Sequence, residues 1–63
     1  MRIKELRLKA NLTQRQLADK LGILRTAVAM WEIGRSVPAT EKLPALARAL
    51  GCRIDDLFEE GER

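Results

Sequence analysis

The chain has 63 residues, a third of them charged, a net charge of +3, one cysteine and no histidine. That length suits one domain over residues 1–63 with a small core. A single cysteine excludes an intrachain disulfide, and so short a chain leaves helix packing or a partner to supply stability. Charge is uneven: residues 1–37 hold eight Lys/Arg against three Asp/Glu, and residues 38–63 hold four against six. A basic half and a mildly acidic half suit a polyanion docking on one side. No apolar run approaches the ~20 residues of a membrane span, and no signal peptide is visible. A reducing cytoplasm, on the nucleoid for a bacterial or phage protein, is therefore expected, with no membrane partner.

The first predicted helix runs from Arg2 to Ala10, where Ile3, Leu6 and Ala10 form one apolar stripe. Asn11 tolerates the left-handed backbone that ends helices, and Leu12 turns inward. Thr13 opens the second helix: Thr13 and Gln16 have the spacing of a capping box, in which hydroxyl and amide each satisfy an orphan backbone N–H. Leu17, Ala18 and Leu21 make its buried face, and Gly22 stops it. The third helix begins at Leu24 or Arg25 and runs to about Ile33, with Val28 and Trp31 pointing to the core. Its outward positions are Arg25, Thr26, Ala29 and Met30, and Gly34 ends it. A loop through Arg35, Ser36, Val37 and Pro38 leads to a fourth helix from about Thr40 to Leu50. Leu43, Leu46, Ala47 and Leu50 form its stripe, and Pro44 falls in or next to the first turn, where proline is tolerated. After Gly51, a short fifth helix over about Ile54 to Glu60 contributes Ile54, Leu57 and Phe58 to the core, and the tail from Gly61 frays. Cys52 reads as a small, partly buried hydrophobe.

Two short helices joined by a tight turn at Gly22 are the shape that reads a DNA major groove, which is about 12 Å wide and admits one helix. In that setting Arg25 can donate two hydrogen bonds to guanine. Thr26 can bond to a base or touch a thymine methyl, and Ala29 and Met30 can do only the latter. Thr13, Gln14, Arg15, Arg35 and Ser36 are placed to grip phosphates, through a helix start or short polar side chains.

The order I-K-E-L-R, L-T-Q-x-x-L-A-x-x-L-G, V-x-x-W-E-x-G-R, P, L-x-x-L-A-x-A-L-G and I-D-D-L-F resembles the phage repressor and Cro-like helix-turn-helix family, often called the Xre family. The resemblance covers residues 3 to 58. It implies an all-α fold of five helices, like that of the lambda repressor, with the helix-turn-helix at about 13–33. The third helix would lie in the groove, and the protein would regulate transcription. It also implies that Gln14 occupies a DNA-contacting position and that Arg7 and Glu32 form a structural ion pair tying the first helix to the motif.

Two positions depart from the family pattern. Leu24 stands where Ser or Thr commonly caps the third helix and touches phosphate, and Ile33 stands where a polar residue is common. A natural regulator and a designed binder on this scaffold both accommodate those changes. So does a second function, a protein-interaction module that uses Leu24, Met30 and Ile33 without touching DNA. The basic N-terminal half and Gln14 at a helix start favour DNA. A single-strand binder would need stacking aromatics, and Trp31 is better placed in the core.

Catalysis is not expected. There is no Ser-based triad and no Gly-rich phosphate loop, and Asp55, Asp56, Glu59 and Glu60 read as a solvated acidic face rather than metal ligands. The expectation is a non-enzymatic protein with no cofactor, metal or small-molecule substrate. Its partner is double-stranded DNA, bound as a homodimer on a two-fold site with recognition helices about 34 Å apart. Trp31→Ala is expected to cost about 3–5 kcal/mol and to unfold much of the domain, read as loss of the thermal transition. An unchanged melting temperature would mean that Trp31 does not face the core.

Overall fold

A computed structural model describes residues 1–58. In chain order the elements are α1 (Ile3–Lys9), α2 (Gln14–Leu21), α3 (Arg25–Glu32), one 3-10 turn (Thr40–Lys42), α4 (Leu43–Leu50) and α5 (Ile54–Phe58). The described residues contain no strand, so the fold class is all-α, as expected. None of these helices is long and apolar enough to cross a membrane.

Local sequence explains most boundaries. At Thr13 the capping box is complete: the Thr13 hydroxyl accepts from the Gln16 backbone N–H at 3.0 Å, and the Gln16 amide accepts from the Thr13 N–H at 2.8 Å. Such a cap contributes about 1 kcal/mol. α2 ends at Gly22, whose φ of +69° is left-handed; nothing crowds the site of a Cβ there, so backbone strain alone selects glycine. α3 ends through Gly34 at φ +81°, which lets the Arg35 N–H reach back to the Met30 carbonyl at 2.9 Å. This six-residue closure satisfies a carbonyl that the helix end would otherwise orphan. Asn11 is the non-glycine residue with left-handed backbone, at φ +61°.

The core is built from one or a few residues of each helix: Ile3 and Leu6, Leu17 and Ala18, Val28, then Leu46, Ala47 and Leu50, and Leu57. Leu12, Leu21, Ile23, Trp31, Leu43, Ala49 and Cys52 pack around it, half-buried. α2 is sandwiched between α3 and α4, and α1 supports α3 from another side. α3 is thus held along its inner edge and free along its outer one. The start of α1 is closed by α5, since the Arg2 N–H donates to the Leu57 carbonyl at 3.0 Å and its guanidinium to that of Asp56 at 3.2 Å.

The structure corrects the start of the fourth helix and the placement of Ile54 and Phe58. The stretch from Thr40 is a 3-10 turn, and the α-helix starts only at Leu43, with Pro44 in its first turn. Proline lacks the N–H that would continue an earlier α-helical ladder, so the chain enters α4 by a tighter turn. Ile54 and Phe58 are exposed rather than in the core. A helix as short as α5 buries one narrow stripe, and Leu57 takes that place. Glu59, Glu60 and the tail from Gly61 lie outside the described residues.

Candidate nucleic-acid interface

Arg7 of α1 is buried, at 7% exposure. Its Nε donates to one Glu32 carboxylate oxygen at 2.7 Å, and a terminal nitrogen donates to the other at 3.3 Å. The remaining terminal nitrogen donates to the Leu12 carbonyl at 2.7 Å. The two side chains are only 9% and 4% exposed. The Gln14 amide then adds a bond from α2, donating to Glu32 at 2.9 Å. Among the described residues no buried side-chain nitrogen or oxygen lacks a partner. Burial by itself raises the Glu32 carboxyl; hydrogen bonds from Arg7 and Gln14, with the positive charges of Arg7 and Lys4, outweigh that and hold it below its ordinary value.

The chain of bonds continues outward. The Gln14 carbonyl oxygen accepts from a terminal nitrogen of Arg25 at 2.8 Å. This ties the first residue of α3 to the first residue of α2. The bond occupies one of Arg25's five N–H donors and one of the two on the Gln14 amide is used by Glu32, so both keep donors for a ligand. This relay was not legible in the sequence: Gln14 and Arg25 are eleven residues apart and only the turn at Gly22 brings them together.

Around this relay the structure gathers the candidates. Arg25 and Thr26 are exposed at the start of α3; Met30 is 41% exposed one turn on, and Ala29 is half-buried beside it. Thr13 and Arg15 are exposed at the start of α2, where Gln14 is half-buried. Arg35 and Ser36 are exposed beyond the far end of α3. Arg15, Asp19, Leu24, Arg25 and Thr26 line one cleft between α2 and α3, so a single carboxylate there faces two guanidinium groups.

Leu24 makes no side-chain cap; the Ala27 N–H reaches its carbonyl at 3.0 Å, which leaves the first amides of α3 without helical acceptors. Leu24 is 75% exposed and Ile33 70%. Val37, in the loop after α3, is equally exposed, and no periodic signal marks a residue outside a helix.

Comparison with known proteins agrees with this geometry. The family model described as Helix-turn-helix matches residues 3–57. The chain belongs to the helix-turn-helix family. It is 38% identical to the HTH-type transcriptional activator BcrR of Enterococcus faecalis, over 97% of this chain and 30% of that protein. It is 37% identical to an uncharacterized HTH-type transcriptional regulator of Archaeoglobus fulgidus, over 90% of this chain and 80% of that one. It is also 43% identical to the cryptic phage CTXphi transcriptional repressor RstR of Vibrio cholerae, over 75% of this chain and 42% of that one. The chain thus spans under half the length of BcrR and of RstR. No solved structure matches it. The family assignment agrees with the expected fold.

In this helix-turn-helix domain the Glu32 carboxyl binds fewer protons folded than unfolded. Its stabilising effect is complete above the ordinary carboxylate range and is lost as pH falls through the lowered value. Melting temperature is therefore expected to fall on acidification, and Glu32→Gln should flatten that acid limb while lowering the neutral plateau. An acid limb unchanged in slope would show that other carboxylates control it. Glu32→Ala, which leaves Arg7 buried and unpaired, should cost about 3–5 kcal/mol in denaturant unfolding.

Proposed function

We propose that the chain binds a specific site on double-stranded DNA with α3 in the major groove and α2 across the backbone, and so regulates transcription. The observation that carries this reading is the relay from Arg7 to Arg25. It holds an arginine with free donors at the exposed start of α3, while withdrawing the one carboxylate of α3 from that surface. In this reading Arg25 and Thr26 contact base edges, with Ala29 and Met30 making apolar contacts alongside them.

Thr13, Gln14, Arg15, Arg35 and Ser36 bind phosphates and set the register. The Thr13 hydroxyl uses an oxygen lone pair for its cap and keeps its proton to donate. The uncapped amides at the start of α3 supply a further anion-binding point in place of the missing Ser or Thr at position 24. Two copies on a two-fold site would place their recognition helices about 34 Å apart. The family membership and the cations flanking α3 support DNA over a protein partner for this face.

Selection of bound duplexes from a random pool at two salt concentrations tests the reading. One enriched motif is expected, symmetric if two copies bind. Recovery without enrichment, or no binding at low salt, would overturn it. Arg25→Ala should weaken the selected site by about 1–3 kcal/mol and relax preference at one base pair; an unchanged preference would remove Arg25 from base reading. Arg35→Ala should weaken all duplexes alike and reduce the salt slope by about one unit. A loss confined to the selected site would contradict a phosphate role.

A further inference from the structure

Two surfaces have no part in the reading of α3. The first is a groove between α2 and α4, lined by Lys20, Ala45, Arg48 and Ala49. The two alanines are half-buried, and Lys20 and Arg48 are exposed beside them. Neither cation has an ion pair or a side-chain hydrogen bond among the described residues. Each sits in the last turn of its helix, where the partial negative charge of the helix end accounts for one cation. That does not account for two cations on different helices lining one apolar strip with no acid beside it. Helix ends of this kind present carbonyls rather than amides, so they do not suit a phosphate. Lys20 also lies six residues from Gln14, about 9 Å along α2, away from the helix start that is placed to grip DNA.

The second surface is α5. Ile54 and Phe58, 39% and 52% exposed, are four residues apart and so share one face. Asp55 is exposed next to Ile54, whereas Asp56 is used locally, its carboxylate accepting from the Arg53 N–H at 3.0 Å. From Arg53 to Arg63 the sequence holds five acids against two arginines. α5 contributes nothing to the lining of the groove in its own copy.

Charge discriminates among the contacts that two copies could make. Groove against groove sets cations on cations, and α5 against α5 sets acidic segments together; both arrangements are repulsive. α5 against the groove joins opposites. Asp55 and the acids that follow it meet Lys20 and Arg48, while Ile54 and Phe58 cover Ala45, Ala49 and the aliphatic stems of the two cations.

We propose that the groove between α2 and α4 receives α5 and the acidic residues after it from a second copy of the chain. The two surfaces differ, so the contact is heterologous, and each added copy leaves a groove or an α5 open for the next. Copies therefore associate head to tail. This contact is separate from two-fold pairing on one DNA site, and it links copies on neighbouring sites.

Sedimentation equilibrium of the unaltered chain without DNA, at about 20 mM and about 500 mM salt, tests the proposal. At low salt the weight-average mass should rise with concentration past that of a dimer, and at high salt it should fall back toward the monomer. Lys20→Glu with Arg48→Glu, and separately Asp55→Lys with Glu59→Lys, should each weaken association at least about tenfold. An equimolar mixture of the two variants should associate again, because the exchange restores opposite charges across the contact. A monomer at every concentration, a mass that stops at the dimer, or a mixture that stays monomeric overturns the proposal. The series on the unaltered chain decides the matter even if a variant does not fold. No measurement here contains DNA, so failure of this contact is distinct from failure of the DNA reading.

Discussion

The buried pair of Arg7 and Glu32 is the interaction on which the remaining geometry rests. An ion pair taken from water recovers its desolvation cost only when geometry is good and every remaining donor and acceptor is used. Here the carboxylate is met by two guanidinium nitrogens and an amide, and the last guanidinium edge is taken by a backbone carbonyl. The partners come from α1, the turn at Leu12, α2 and α3, so the pair sets the mutual placement of three helices at one point. An apolar contact of similar size would hold the helices together but would not specify their rotation, since it has no preferred direction. Hydrogen-bonded charges do.

The same pair divides labour on the exposed side of the motif. By consuming the Glu32 carboxylate it leaves the face of α3 without a negative group, and through Gln14 it orients Arg25. In the proposed DNA-binding reading, affinity and specificity would draw on different groups. Exposed cations and uncapped helix amides would supply an attraction to phosphates that salt screens and sequence does not alter, and Arg25 and Thr26 would carry the sequence information.

Much of this was legible in the residues. The spacing of Ile3, Leu6 and Ala10, of Leu17, Ala18 and Leu21, and of Leu43, Leu46, Ala47 and Leu50 marked the inner stripes; the structure buries them except Ala10, Leu21 and Leu43, which are half-buried. The capping box at Thr13 and the left-handed residues at Asn11, Gly22 and Gly34 depend on chemistry within a few residues, so they were readable locally. The end of the chain was less so: Ile54 and Phe58 have the composition of core residues, but a helix of five residues has one buried side, and periodicity cannot choose it.

The sequence by itself therefore determined the helices, their inner stripes, the turn between α2 and α3 and the family pattern that includes positions 7 and 32. All are set by local hydrogen bonding and by the 3.6-residue period. Only the tertiary structure decided that Gln14 bridges Glu32 and Arg25, and that Val37, Ile54 and Phe58 stand in solvent. Those outcomes depend on how separate helices are rotated against one another. That rotation is fixed by packing and by one buried charge pair whose members lie 25 residues apart.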